Sequence, residues 1–170
     1  PISLIRLVMG CAPERVMAHA NWADTGVDIS MNATLWYADG RSAQMSCAMN
    51  AANHRRATIV GSDGTIETEY LNHTSSTTTH PWGYLPSQLR VRRGIANTIA
   101  FEDIQSATGS GFQFAAEAFS QVVRTQDQAA IDRSAAASHD IAATLDAIRL
   151  SAQTGQAVRL SSIHVQSVQP

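Results

Sequence analysis

Six histidines, two cysteines and twelve arginines are the side chains of this 170-residue sequence with the most chemistry to offer, and lysine is absent. Without lysine, nothing within these residues can form a Schiff base, line a phosphate loop with an amine or donate a proton from one. His19, His54, His73, His80, His139 and His164 include no i, i+4 pair and no cysteine partner at zinc-ligand spacing. They read as surface or strand-end residues, and no metal site is assigned. Cys11 and Cys47 lack the histidine and asparagine context of a nucleophile, and there is no Gly-x-Ser-x-Gly elbow. Both cysteines read as small buried hydrophobes, Cys47 on the core side of its strand.

Gly109-Ser110-Gly111 precedes a helical run and raises the question of an anion site. It lacks the preceding strand and third glycine of a dinucleotide fingerprint, so it reads as a tight turn that positions the helix. Glu67 and Glu69 share one face of a strand and can reach Arg56 on its neighbour, which is a structural cross-strand pair before it is a catalytic dyad. Asn32-Ala33-Thr34 and Asn72-His73-Thr74 match the glycosylation pattern, but matches this short arise by chance. No residue of the chain is assigned as catalytic.

The elements that carry these residues follow from periodicity. Pro1 to Gly10 is apolar at helical spacing and stops at glycine, with no capping residue before it, so it reads as the tail of a longer helix and not as a signal peptide. From Pro13 the period is two. Val27, Ile29, Met31, Ala33, Leu35 and Tyr37 alternate with polar residues, Asp39-Gly40 supplies a hairpin turn, and Ala43, Met45, Cys47 and Met49 alternate on the return. Residues 56–60 and 65–70 form a second hairpin around Gly61-Ser62-Asp63-Gly64, and residues 15–22, 88–93 and 98–103 read as further strands. Residues 72–87, rich in threonine, read as a surface loop.

The last third is helical. Phe112, Ala115, Ala116, Phe119, Val122 and Val123 share one face, and a helix from about Asp132 to Thr154 turns Ala135, Ala142, Leu145, Ile148 and Ala152 inward, with Gly155 as its cap. Residues 157–160 add a short strand. The expectation is an α+β fold: an open, largely antiparallel sheet of six or more strands, with two C-terminal helices and the N-terminal helix remnant on one face. The domain spans residues 1–160 and 161–170 form a loose tail.

Helices on one side leave the other side of the sheet open. That face carries Ser30, Asn32, Thr34, Trp36, Gln44, Ser46, Ala48 and Asn50, which are small, polar and uncharged with one large aromatic, and the two strands lack charge apart from Asp28. Charge depletion with a retained aromatic marks an interface core, so an oligomer interface is favoured over plain solvent exposure or a ligand surface. The net charge of −2 with scattered arginines gives no case for nucleic acid, and no apolar run approaches the ~20 residues of a membrane helix. With 44% hydrophobic and 15% charged residues, a soluble, cytoplasmic globular domain is expected.

Four stretches resemble the C-terminal domain of the glucose-fructose oxidoreductase, inositol dehydrogenase and rhizopine-catabolism (Gfo/Idh/MocA) family. They are residues 1–10 with Pro13-Glu14-Arg15-Val16, the hairpin 60–67, the helix 112–123, and Asp146 to Val158 with its Gln-Thr-Gly-Gln centre. The string Gly-Ser-Gly-Phe-Gln-Phe leans toward the dihydrodiol dehydrogenase-like branch. The resemblance implies a two-domain dehydrogenase using NAD or NADP on a sugar, polyol or diol. Its Rossmann half binds the cofactor and brings a Glu-Lys-Pro motif, and an Asp-x-Gly-x-(His/Tyr) motif completes proton transfer. Neither motif occurs here, so the chain is expected to be inert alone and to bind no cofactor alone. The resemblance also implies a homodimer or homotetramer built through the open face, and a substrate pocket to which Gln105, Ser106, Phe112, Trp82 and Tyr84 are the candidates. Phe112 packing beneath its helix and Trp82 anchoring a loop are the plainer readings. The rival is a stand-alone, non-enzymatic dimerisation or ligand-binding module.

Overall fold

The computed structural model describes residues 1–69, 88–105 and 109–162. Three helices and eight strands follow in the order α1 (Ile2–Met9), β1 (Arg15–Trp22), β2 (Asp28–Trp36), β3 (Ser42–Ala48), β4 (Arg56–Gly61), β5 (Gly64–Glu69), β6 (Leu89–Arg93), β7 (Glu102–Ile104), α2 (Gly111–Thr125), α3 (Gln128–Thr154) and β8 (Val158–Arg159). The class is α+β, and both sheets are antiparallel throughout. The strands expected in one sheet form two of four, ordered β3-β2-β1-β8 and β4-β5-β6-β7. The break falls after β3, where residues 49–55 have neither a two-residue turn nor period-two alternation to carry the ladder onward. The chain accordingly divides into two compact units, Pro1–Ala51 with Gln128–Pro170, and Ala52–Asp127.

Among the described residues, every buried apolar side chain lies in the first unit. Val16, Ala18 and Ala20 of β1 and Met31, Ala33 and Leu35 of β2 point to the same side, where Ala147 and Ile148 of α3, Ile2 of α1 and Val158 of β8 meet them. Alternation in β2 thus places the side chains as its sequence requires. Gly10 and Gly155 end their helices in the left-handed conformation (φ 78° and 67°), each returning its N–H to a carbonyl four residues back. Arg6 of α1 clasps Asp140 of α3 at 2.6 Å.

Several expectations change. The inward face of α3 is Thr144, Ala147, Ile148 and Ser151, whereas Ala135, Ala142 and Leu145 are exposed. Two of the four buried positions are hydroxyl residues, which an apolar pattern passes over. Cys11 and Cys47 are both exposed, not buried. Cys47 does sit on the helix side of its strand, but β3 is the sheet edge, and α3 packs over β1. The α2 stripe also lies open, with Phe119 72% and Val123 56% exposed, and no described residue of Ala52–Asp127 is fully buried. Capping, not packing, bounds this helix: Ser110 Oγ accepts from Gln113 N–H, and Gln126 closes it at φ 50°.

Candidate functional site

Two surfaces carry the residues singled out from the sequence. The first is the outer face of the sheet β3-β2-β1-β8. Register pairs Ser30 with Ala48, Asn32 with Ser46, Thr34 with Gln44 and Trp36 with Ser42, so the predicted interface residues of β2 and β3 do share one face; Asn50 lies just past the end of β3. The sequence reading missed the contribution of β1. Arg15, Met17, His19 and Asn21 stand opposite Trp36, Thr34, Asn32 and Ser30 on the same side. Met17, His19, Asn32, Thr34, Gln44 and Ser46 line a shallow depression there.

Charge stands at the ends of these strands, with Asp28 opening β2 and Arg15 opposite Trp36. The Arg15 guanidinium lies 4.5 Å from the centre of the Trp36 ring, and Arg159 of β8 pairs with Glu14. Toward the other end the contact is neutral, Asn21 Nδ2 donating to Ser30 Oγ at 2.8 Å. At the β2–β3 turn, burial pushes the Tyr37 phenol up, reinforced by Cys11 and opposed by Arg41 and Arg6. The Arg41 backbone N–H, then its guanidinium, holds the Asp39 carboxyl below the usual range.

The second surface is a cleft of about 520 Å³ at one end of the sheet β4-β5-β6-β7. Arg56, Glu69, Gln88, Arg90, Asp103 and Gln105 line it, contributed by or flanking all four strands. The expected cross-strand pair forms: Arg56 meets Glu69 at 2.5 Å, while Glu67 pairs with Arg90. These pairs are half exposed, so each contributes at most about 1 kcal/mol; the cleft lining itself balances two cations, Arg56 and Arg90, with two carboxylates, Glu69 and Asp103. Such a lining suits a neutral, hydrogen-bonding ligand better than an ion.

Of the five substrate-side candidates, Gln105 lines this cleft and Phe112, at the first turn of α2, is 73% exposed. Ser106, Trp82 and Tyr84 lie outside the described residues. Arg90 and Asp103 were missed. Their alternation with Leu89, Val91 and Ile104 was a usable signal, but their convergence depends on pairing between strands far apart in sequence. Among the described residues no group of three or more histidine, cysteine, aspartate or glutamate side chains could hold a metal ion, and no helix is long and apolar enough to cross a membrane.

A dinucleotide does not fit these residues. Every described strand pairing is antiparallel, so there is no strand-helix-strand crossover to present a phosphate-binding turn, and the Ser110 hydroxyl before α2 is taken by Gln113 N–H.

Residues 1–67 match the family model described as GFO/IDH/MocA C-terminal domain, in agreement with the resemblance read from the sequence. No curated protein matches. Among solved structures, the fold is shared with an aldose-aldose oxidoreductase from Caulobacter crescentus complexed with glycerol, at TM-score 0.67 and 18% identity over 93% of this chain and 44% of that one. It is shared equally with a conjectural NADPH-dependent oxidoreductase from Desulfitobacterium hafniense, at TM-score 0.67 and 16% identity over 96% of this chain and 46% of that one. An oxidoreductase from Agrobacterium radiobacter in complex with NAD+, L-tartaric acid and magnesium aligns at TM-score 0.55 and 15% identity, over 95% of this chain and 47% of that one. The chain therefore spans less than half the length of these structures.

Proposed function

We propose that this chain, a Gfo/Idh/MocA-type C-terminal domain by its match over residues 1–67, is the substrate-binding and oligomerisation part of an NAD(P)-dependent oxidoreductase acting on a sugar, polyol or diol. That match carries the reading, and the shared fold of the oxidoreductases above supports it. The chain's own residues would bind and orient substrate through the neutral cleft around Gln105 and Asp103. Cofactor binding and the proton-transfer lysine would belong to a Rossmann half, since neither is supplied here. The fragment alone is then inactive.

Reading the coding frame upstream of Pro1 tests this directly. A glycine-rich strand-turn-helix and a Glu-Lys-Pro motif are expected there. An uninterrupted frame without them would leave the stand-alone binding module as the better description.

The outer face of β3-β2-β1 is the proposed oligomer surface, with Trp36 and the Arg15 stacked on it as the anchor. Tryptophan and arginine are the residue types most often found as interface anchors, worth ~2 kcal/mol or more each. Trp36→Glu should therefore weaken self-association by roughly thirtyfold, read by sedimentation across a concentration series. A wild-type chain that stays monomeric throughout would remove the interface.

A further inference from the structure

The two sheets expose four edge strands, and three of them are guarded. β8 is two residues long, and its Arg159 is paired with Glu14. β7 is three residues long and carries Glu102 and Asp103. β4 carries Arg56. Short length and charge are the usual means of keeping an edge from pairing.

β3 has neither. Its seven residues, Ser-Ala-Gln-Met-Ser-Cys-Ala, include no charge and no proline, and its register with β2 runs from Ser30–Ala48 to Trp36–Ser42 without a bulge. The phase of its backbone is fixed by Met49 N–H, which donates to Ile29 C=O at 2.8 Å. Alternation then turns the N–H and C=O groups of Ala43, Met45 and Cys47 toward β2, and those of Ser42, Gln44, Ser46 and Ala48 toward the open edge. No strand lies on that side among the described residues.

We propose that β3 pairs antiparallel with β3 of a second copy of this chain, about a two-fold axis at Met45, to make one continuous eight-stranded sheet. The register places Gln44 of each copy opposite Ser46 of the other, and Ser42 opposite Ala48. An isologous contact of this kind must be self-complementary, and an uncharged strand centred on its own midpoint meets no like charge when it faces itself. The occupant must offer an extended, uncharged strand of similar length. Among the described residues, β3 is the only edge strand of this chain that does so. The pairing uses backbone at the sheet edge, so it stands apart from the side-chain face around Trp36.

Residue-resolved amide exchange over a concentration series tests it. The Gln44 and Ser46 amides should slow by roughly tenfold or more as the chain passes from monomer to dimer, while those of Met45 and Cys47 are protected throughout by β2. Ser46→Pro deletes only an outward N–H, leaves the β2 ladder whole, and should leave the Gln44 amide exchanging fast at every concentration with its sheet circular dichroism retained. Fast exchange at Gln44 and Ser46 at every concentration would overturn the proposal. So would protection already present in the monomer, which would place the cover within one chain, or concentration-dependent protection of Gln44 that persists in Ser46→Pro. Should Ser46→Pro fail to fold, exchange in the wild-type chain decides alone.

Discussion

Gly64→Ala should unfold the β4-β5-β6-β7 sheet while leaving the helix-covered sheet intact. A Cβ built on Gly64 lies 2.1 Å from the Arg92 carbonyl oxygen and 3.2 Å from its carbon, both backbone atoms of the neighbouring strand. No side-chain rotation relieves such an overlap. β6 must move away, at a point where Gly64 and Arg93 stand opposite each other and Gly94 N–H donates to Asp63 C=O at 2.6 Å. Overpacking typically costs about 1–3 kcal/mol even among movable side chains, and a rigid partner puts this substitution at the top of that range or above. The Ala52–Asp127 unit has no fully buried described residue with which to absorb it. Exchange should accelerate across β4, β5 and β6 but not across β1 and β2. Unchanged protection in β5 and β6 would show that the approach at Gly64 is looser than these distances imply.

What the sequence revealed followed how local each feature was. The β2–β3 hairpin was legible because Met31, Ala33 and Leu35 alternate strictly and Asp39-Gly40 encodes its own turn. Gly10 and Gly155 marked helix ends for the same reason, since only glycine reaches that conformation without strain. The division into two sheets was not legible, because it rests on an absence of pairing after β3 that no single residue announces. The open stripe of α2 was misjudged: periodicity shows which side of a helix is apolar, not whether anything covers it. At the cleft, Arg56 and Glu69 were found as cross-strand neighbours, yet Arg90 and Asp103 join them only through the β5-β6-β7 register. The outer face was half seen, for β1 alternates alanine with methionine and histidine and so gives a weak signal of which side faces out.

The stripe of α3 was misplaced for a different reason, and it yields the second prediction. Thr144 and Ser151 are 2% and 0% exposed, polar residues at the centre of the helix-sheet contact. Their hydroxyls do different things. Thr144 Oγ1 donates to Asp140 C=O at 2.6 Å, within its own helix, where that carbonyl sits one turn back along the ladder. Ser151 Oγ instead accepts from Ala18 N–H at 2.9 Å and donates to Gln156 C=O at 2.6 Å. Since Val16 pairs with Val158, Ala18 and Gln156 are where the next rung between β1 and the chain leading into β8 would fall. The serine hydroxyl replaces that rung. Ser151→Ala strands a buried N–H and a carbonyl together, at about 1–3 kcal/mol for each group left unsatisfied, so a loss of about 2–6 kcal/mol is expected. Thr144→Val, which removes only a redundant acceptor contact, should cost less than about 1 kcal/mol. Equilibrium denaturation of both variants checks the contrast, and amide exchange at Ala18 locates it. If the two variants lose equal stability, or Ala18 stays protected in Ser151→Ala, the hydroxyl is not acting as the missing rung.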